Sequence, residues 1–253
     1  MNQLRTDRLK VGYGGKAILH DVRLDLAGGS LVALLGRNGS GKTTLLRTLS
    51  AARAPLAGEV RWNGHSVHVL DADARARQVA VVLSQVPRCG ALDVRTLVSF
   101  GRIPWTGRFG GLSGGDQEKV EKAMRDAGVH HLATRWVDEL SDGERQRTMI
   151  ARALAQDAPL LLMDEPLAHL DLVNRAQVMQ LLQRIAHAGD RLVLYSTHDL
   201  ALALELSDQV VLVQPDGHVW HGSTVEAMGH IAHAFSDDEV AFDPVTRGLM
   251  PRK

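Results

Sequence analysis

Residues 31–44 read LVALLGRNGSGKTT, an apolar run that empties into a glycine-rich turn ending in a lysine and two threonines. Gly36, Gly41, Lys42 and Thr43 stand at the fixed places of the phosphate-binding pattern G-x-x-x-x-G-K-[ST]. The chemistry requires these residue types. Glycines let the backbone N–H groups of Asn38, Gly39, Ser40 and Gly41 turn toward phosphate oxygens, and the helix after them adds its positive end. Lys42 is long enough to reach β- and γ-phosphates, the Thr43 hydroxyl is a ligand for Mg²⁺, and Thr44 completes the wrap. A buried strand over 31–35 and a helix over 44–49 are expected on either side, which separates this segment from a chance glycine turn. The pattern predicts a nucleoside triphosphate site.

A second group of candidates comes after another apolar run. Residues 160–163, LLLM, are bounded by Pro159 and have the form of a strand buried in a parallel sheet. The run delivers Asp164 and Glu165 side by side at its end. Two adjacent carboxylates there serve two jobs: Asp164 holds Mg²⁺, directly or through water, and Glu165 polarises the attacking water.

Further motifs stand in fixed order around this pair. LSDGERQR (140–147) precedes it, while AHLD (168–171) and STHD (196–199) come after it. The ordered set resembles the ATP-binding cassette of ABC transporters over nearly the whole chain. Tyr13 in VGYGG resembles the adenine-stacking aromatic of that family, a contact worth about 1–3 kcal/mol with a base. Gln85, after the strand expected over 79–83, resembles its sensor glutamine and would join Thr43 and Asp164 around Mg²⁺. The resemblance gives His198 the γ-phosphate and the attacking water. It makes Ser141 and Gly143 close the site of a second copy, with Asp171 at the interface, so that two cassettes sandwich two ATP molecules. It implies an α/β fold with a P-loop NTPase core: a mostly parallel sheet with flanking helices, an antiparallel β-subdomain and a helical subdomain. The implied partners are transmembrane permease subunits, a second copy and, indirectly, a substrate-binding protein, at the cytoplasmic face of the cell membrane.

LSGGDQ at 112–117 is nearer the family consensus LSGGQ than LSDGE is. Its place, about 27 residues past Gln85 and far upstream of Asp164, argues against it. Ser113 and Asp116 instead have the spacing of a capping box opening a helix over 117–127. In LSDGE, Asp142 replaces a glycine and Glu144 a glutamine; Asp142 is expected to face solvent or a basic neighbour such as Arg145 or Arg147. The Ser141 and Gly143 N–H groups are expected to stay available for phosphate.

Composition narrows the class. The 253 residues carry 29 basic and 29 acidic side chains, so no global field favours nucleic acid or an anionic membrane. No run approaches a membrane span of about 18 apolar residues, and MNQLRTDRLK lacks the apolar region of a signal peptide. One cysteine, Cys89, excludes an intramolecular disulfide. The twelve histidines show no ligand grouping; even His230 and His233, three apart, read as solvated surface.

The expected organisation is one domain. Residues 1–87 and 158–222 form the nucleotide-binding core with its β-subdomain, including a hairpin turning at Asn63-Gly64. Residues 88–157 form the helical subdomain, and 223–253 a short helix and polar tail. The segment LDVRTLVSFGRIPW (92–105) is similar to a stretch in importer ATPases for iron–siderophore, haem and cobalamin, with Arg102, Pro104 and Trp105 matching the pattern. An exporter subunit, or a soluble cassette acting on DNA or ribosomes, would carry the same core motifs; this chain has one cassette and no heptads.

Overall fold

The computed structural model describes residues 2–83, 91–107, 110–236 and 239–252. Strands β1 (Gln3–Tyr13), β2 (Lys16–Val22) and β3 (Asp25–Ala27) lead into β4 (Leu31–Leu35) and helix α1 (Lys42–Leu49). Next come strands β5 (Ala57–Trp62) and β6 (His65–Ser66), helix α2 (Ala72–Gln78) and strand β7 (Val79–Val82). Helix α3 (Val94–Ser99), a 3₁₀ turn (Phe100–Trp105), α4 (Gly114–Asp126) and α5 (Asp142–Ala155) make a helical unit. The chain then runs through β8 (Leu160–Met163), α6 (Leu172–His187), β9 (Leu192–Ser196), α7 (Leu200–Leu206), β10 (Gln209–Val213), β11 (Val219–Ser223) and α8 (Thr224–Phe235). It closes with β12 (Val240–Asp243) and β13 (Gly248–Pro251).

The central sheet has the order β11-β10-β4-β9-β8-β7. All its pairings are parallel except β10 with β11. Its strands are continuous apolar runs because both faces are covered. Along β4, Leu31, Ala33 and Leu35 pack into the core shared with α5 and α6. Val32 and Leu34 face the core beneath the antiparallel sheet and α1. The same alternation places Leu161 and Met163 of β8 on one side and Leu160 and Leu162 on the other. Each parallel strand ends at the same edge, and that edge receives the phosphate-binding turn.

The antiparallel sheet has the order β2-β1-β5-β6, with β3 also paired to β1. Trp62 pairs with His65 across the two-residue turn Asn63-Gly64, whose φ angles of 51° and 82° are those of a type I′ hairpin. The helical unit is opened by two capping boxes, Ser113 with Asp116 on α4 and Ser141 with Glu144 on α5.

Two regions differ from the sequence expectation. Helix α2 has no buried residue and therefore no apolar periodicity; the Asp71 carboxylate starts it by accepting the Ala74 N–H at 2.7 Å. The polar tail expected near the end folds as the β12–β13 hairpin. There the Asp243 carboxylate accepts the Val245 N–H at 2.9 Å and the Thr246 hydroxyl at 2.8 Å, and Phe242 is buried in the larger core. Among the described residues no group of three or more His, Cys, Asp and Glu side chains is placed to hold a metal ion, and His230 stacks on Trp220 at 4.4 Å. Among them, too, no helix is long and apolar enough to cross a membrane.

Candidate active site

The chain leaves β4 at Leu35 and turns through Gly36 to Gly41 into α1. Gly41 is the N-cap of α1 at φ 107°, a conformation side chains disfavour, and no side chain caps the helix. The first-turn N–H groups are therefore left for an outside acceptor. Lys42 is buried, its Nζ donating to the carbonyls of Gly36 at 2.9 Å and Arg37 at 3.3 Å. Burial lowers its pKa, against the opposing charges of Glu165 and Asp164. The Ser40 hydroxyl is buried with no hydrogen-bond partner among the described residues, an orphaned donor that a phosphate oxygen would satisfy. Arg37, Asn38, Gly39 and Ser40 line a cavity of about 330 Å³ with Ile18 of β2 and Gln214 to Gly217.

A relay of hydrogen bonds fixes the acidic pair to this turn. The Thr43 hydroxyl donates to Asp164 Oδ1 at 3.1 Å, and the Ser196 hydroxyl donates to the same oxygen at 2.8 Å. Ser196 Oγ in turn accepts the Glu165 N–H at 2.8 Å. Asp164 is buried at the end of β8, with its N–H on the Val82 carbonyl at 2.9 Å. Glu165 is half-buried at φ 47°, the left-handed region that side chains adopt rarely. The Thr43 hydroxyl and Asp164 carboxylate form the all-oxygen set that a hard divalent cation takes, so the residues present fit Mg²⁺. Ser196, the first residue of STHD, was missed as a site member, although a serine closing the buried strand β9 was a legible signal.

His198 lies exposed on the turn between β9 and α7, and the preceding Thr197 donates its N–H to Leu34 O at 3.2 Å. That bond puts the turn beside the start of the phosphate loop. Tyr13 ends β1 with 57% of its surface exposed, and Arg53 lies 5.7 Å over its ring. Gln85 falls outside the described residues.

Ser141, Gly143 and Asp171 gather elsewhere. Asp171 caps α6 by accepting the Asn174 N–H at 2.7 Å, and the Asn174 side-chain amide donates back to it at 3.0 Å. Arg147 of α5 donates to Asn174 Oδ1 at 3.3 Å and to Gln177 at 2.8 Å. Among the described residues no hydrogen bond joins this cluster to that of Lys42 and Asp164. One expectation is corrected: the Ser141 N–H is not open, because Glu144 Oε2 accepts both it and the Ser141 hydroxyl at 2.9 Å. These bonds, with lesser help from Arg135 and Arg147, hold the Glu144 carboxyl below the usual range. Asp142 is exposed and 3.7 Å from Arg145, as its substitution for glycine required. Ser113 forms the expected cap, and its partner Asp116 is committed to a buried ion pair with Arg102.

Gly143 is required by a close approach, since a Cβ there would lie 2.3 Å from Asn174 Oδ1. Gly143→Ala is expected to destabilise the protein by about 1–3 kcal/mol, read as a lower Tm, because Asn174 is tethered and cannot swing away freely. An unchanged Tm would show that the α5–α6 contact yields.

A larger cleft of about 1100 Å³, lined by Arg125, Arg147, Arg184 and Arg191 among others, contains none of the phosphate-loop or acidic-pair residues. The phosphate loop and the acidic pair lie at the sheet edge, not there.

A phosphate loop on one parallel strand, with a carboxylate pair ending a nearby one, defines a P-loop nucleoside triphosphatase. A family model described as ABC transporter matches residues 19–168, and the chain belongs to the ABC transporter family as an ATP hydrolase. It is 36% identical over 250 residues to the iron(3+)-hydroxamate import ATP-binding protein FhuC of Bacillus subtilis, covering 97% of this chain and 93% of that one. It is 32% identical over 224 residues to the ferric enterobactin transport ATP-binding protein FepC of Escherichia coli, covering 88% and 83%. A solved ABC transporter structure assigned to the metal-chelate type, in an inward-facing conformation, superposes with a TM-score of 0.82 at 25% identity, covering 99% and 96%.

Proposed function

We propose that this chain is the ATP-hydrolysing subunit of an importer that takes up a metal chelate, an iron–siderophore, haem or cobalamin, through a separate membrane permease. The observation that carries the hydrolytic reading is the relay Thr43–Asp164–Ser196–Glu165, which aims one carboxylate at the cation position and frees its neighbour for water. The relatives' names and the 92–105 segment support the importer and its cargo class.

Tyr13 stacks on the adenine, while Gly36, Asn38, Gly39, Ser40, Gly41 and Thr44 wrap the phosphates and Lys42 bridges the β- and γ-groups. Thr43, Asp164 and Gln85 would hold Mg²⁺, which would supply neutralising charge to the phosphate oxygens. Glu165 takes a proton from water as the water oxygen bonds the γ-phosphorus. The bond from that phosphorus to the β–γ bridging oxygen breaks, giving ADP and phosphate. His198 contacts the γ-phosphate and steadies the water.

Ser141, Gly143 and Asp171 complete the site of a second copy, which accounts for their standing apart from Lys42. In that arrangement Glu144 releases Ser141 when phosphate arrives. Ser141→Ala is therefore expected to lower ATP turnover, whereas Ser113→Ala loses only a helix cap, about 1 kcal/mol of stability. Turnover lost in Ser113→Ala but kept in Ser141→Ala would reverse the assignment.

Exposed Leu83, Phe100, Ile103 and Trp105, each 40–62% accessible, suit a protein partner at the cytoplasmic face of the cell membrane. The reading is tested by purifying tagged protein from gently solubilised native membranes and identifying its companions by mass spectrometry. A polytopic permease of the chelate-importer type is expected. Recovery of an exporter permease, or only of ribosomes or nucleic acid, would overturn the importer.

A further inference from the structure

Arg102 is a buried cation that no step of hydrolysis uses. It is only 6% exposed. Its Nε and Nη2 each lie 2.9 Å from Asp116 Oδ1 at the start of α4, and its Nη1 donates to the Ala155 carbonyl, the last residue of α5, at 2.8 Å. Nearby, Trp105 donates its Nε1–H to the Gln156 carbonyl at 2.8 Å. The guanidinium of Arg102 lies 5.1 Å from the Trp105 ring centre and that of Arg77 lies 5.0 Å from it. Gln156 then donates its side-chain amide to the carbonyls of Ala76 at 2.6 Å and Val79 at 2.9 Å, and Arg77 Nε donates to Pro104 O at 2.9 Å. Backbone contact is equally close, since a Cβ on Gly101 would lie 2.2 Å from Arg152 O.

Helix ends carry carbonyls without intrahelical partners. Here the end of α5 is capped from outside by the 3₁₀ turn and bonded to the α2–β7 junction of the core. The opposite end of α5, a helix of 14 residues, is capped by Ser141. Burying a guanidinium–carboxylate pair gains little stability over apolar packing, whereas removing one partner is costly, so the pair ties the turn to α4 and α5 in one arrangement.

We propose that Arg102 and Trp105 are positioning residues. They latch the 3₁₀ turn, whose Phe100 and Ile103 are exposed, to the C-terminus of α5, so that displacement of the turn reaches Ser141 along a rigid helix. The latch explains the part of the Arg102–Pro104–Trp105 pattern in this chain: Pro104 lies inside the 3₁₀ turn, while Arg102 and Trp105 hold that turn onto α5. The functional arm of the proposal rests on the role given above to Ser141.

The test uses Trp105→Phe, which keeps the ring and removes the Nε1 donor, and Arg102→Lys, which keeps the charge and loses the fork. Hydrogen exchange along α5, equilibrium ATP affinity and steady-state kinetics are measured on each. The expected result is faster exchange at both ends of α5, ATP affinity within about twofold of wild type, and kcat lowered by about 2- to 30-fold. Faster exchange confined to the last turn of α5, or loss of ATP affinity in step with kcat, would overturn the latch. Exchange spread along α5 with kcat unchanged would keep the latch and remove Ser141 from catalysis, so the two readings fail separately.

Discussion

Glu165→Gln is expected to lower the ATP turnover number by about 10²- to 10⁴-fold, the worth of a positioned general base. An amide of the same shape cannot take the proton from water. ATP affinity should stay within a few-fold of wild type, because the phosphate contacts come from the turn and from α1. Of the two acids, Glu165 rather than Asp164 has this part on geometry. Asp164 Oδ1 already accepts from Thr43 and Ser196 and is buried beside the loop, whereas Glu165 is only half-buried and near enough to Lys42 to act on its charge. Single-turnover kinetics with radiolabelled ATP measure the step directly. Turnover close to that of wild type would take the base role from Glu165.

Lys42→Ala should act on binding as well as on rate. The ammonium is buried and parked on two carbonyls of the loop it closes, so a bound phosphate finds it already desolvated. Losing a charge-assisted bond of about 1.5–3 kcal/mol weakens ATP binding about 10- to 150-fold. Losing a donor that acts on developing charge lowers turnover by about another 10²- to 10³-fold. Calorimetric titration with ATP separates the two effects, and an unchanged Tm would show that the fold is intact. Affinity equal to wild type would mean that the loop carbonyls, not phosphate, are the partners of Lys42.

The parts of the fold that were legible in advance are those where one physical signal dominates. The strands at 31–35 and 160–163 appear at the expected bounds because burial on both faces makes each a continuous apolar run. The Asn63-Gly64 hairpin and the Ser113 cap were legible from local chemistry alone. Helix α4 nevertheless starts at Gly114, ahead of the expected 117, since two glycines after a cap carry no side-chain signal. The site was legible at its motifs and opaque between them. Asn174 joins Asp171 to Arg147 across sequence separations of 3 and 27 residues, a relation that exists only once α5 lies against α6. The closed state of Ser141 was hidden for another reason: a glutamate one helical turn further on satisfies its donors without any partner.

The central claim is that Lys42 and Glu165 in one copy share an ATP with Ser141 of another. Sedimentation of Glu165→Gln with and without Mg²⁺–ATP tests it most directly. The expected result is a shift from 27.5 kDa to about twice that mass when nucleotide is added, abolished by Ser141→Ala in the same chain. A species that stays monomeric with ATP bound would contradict it.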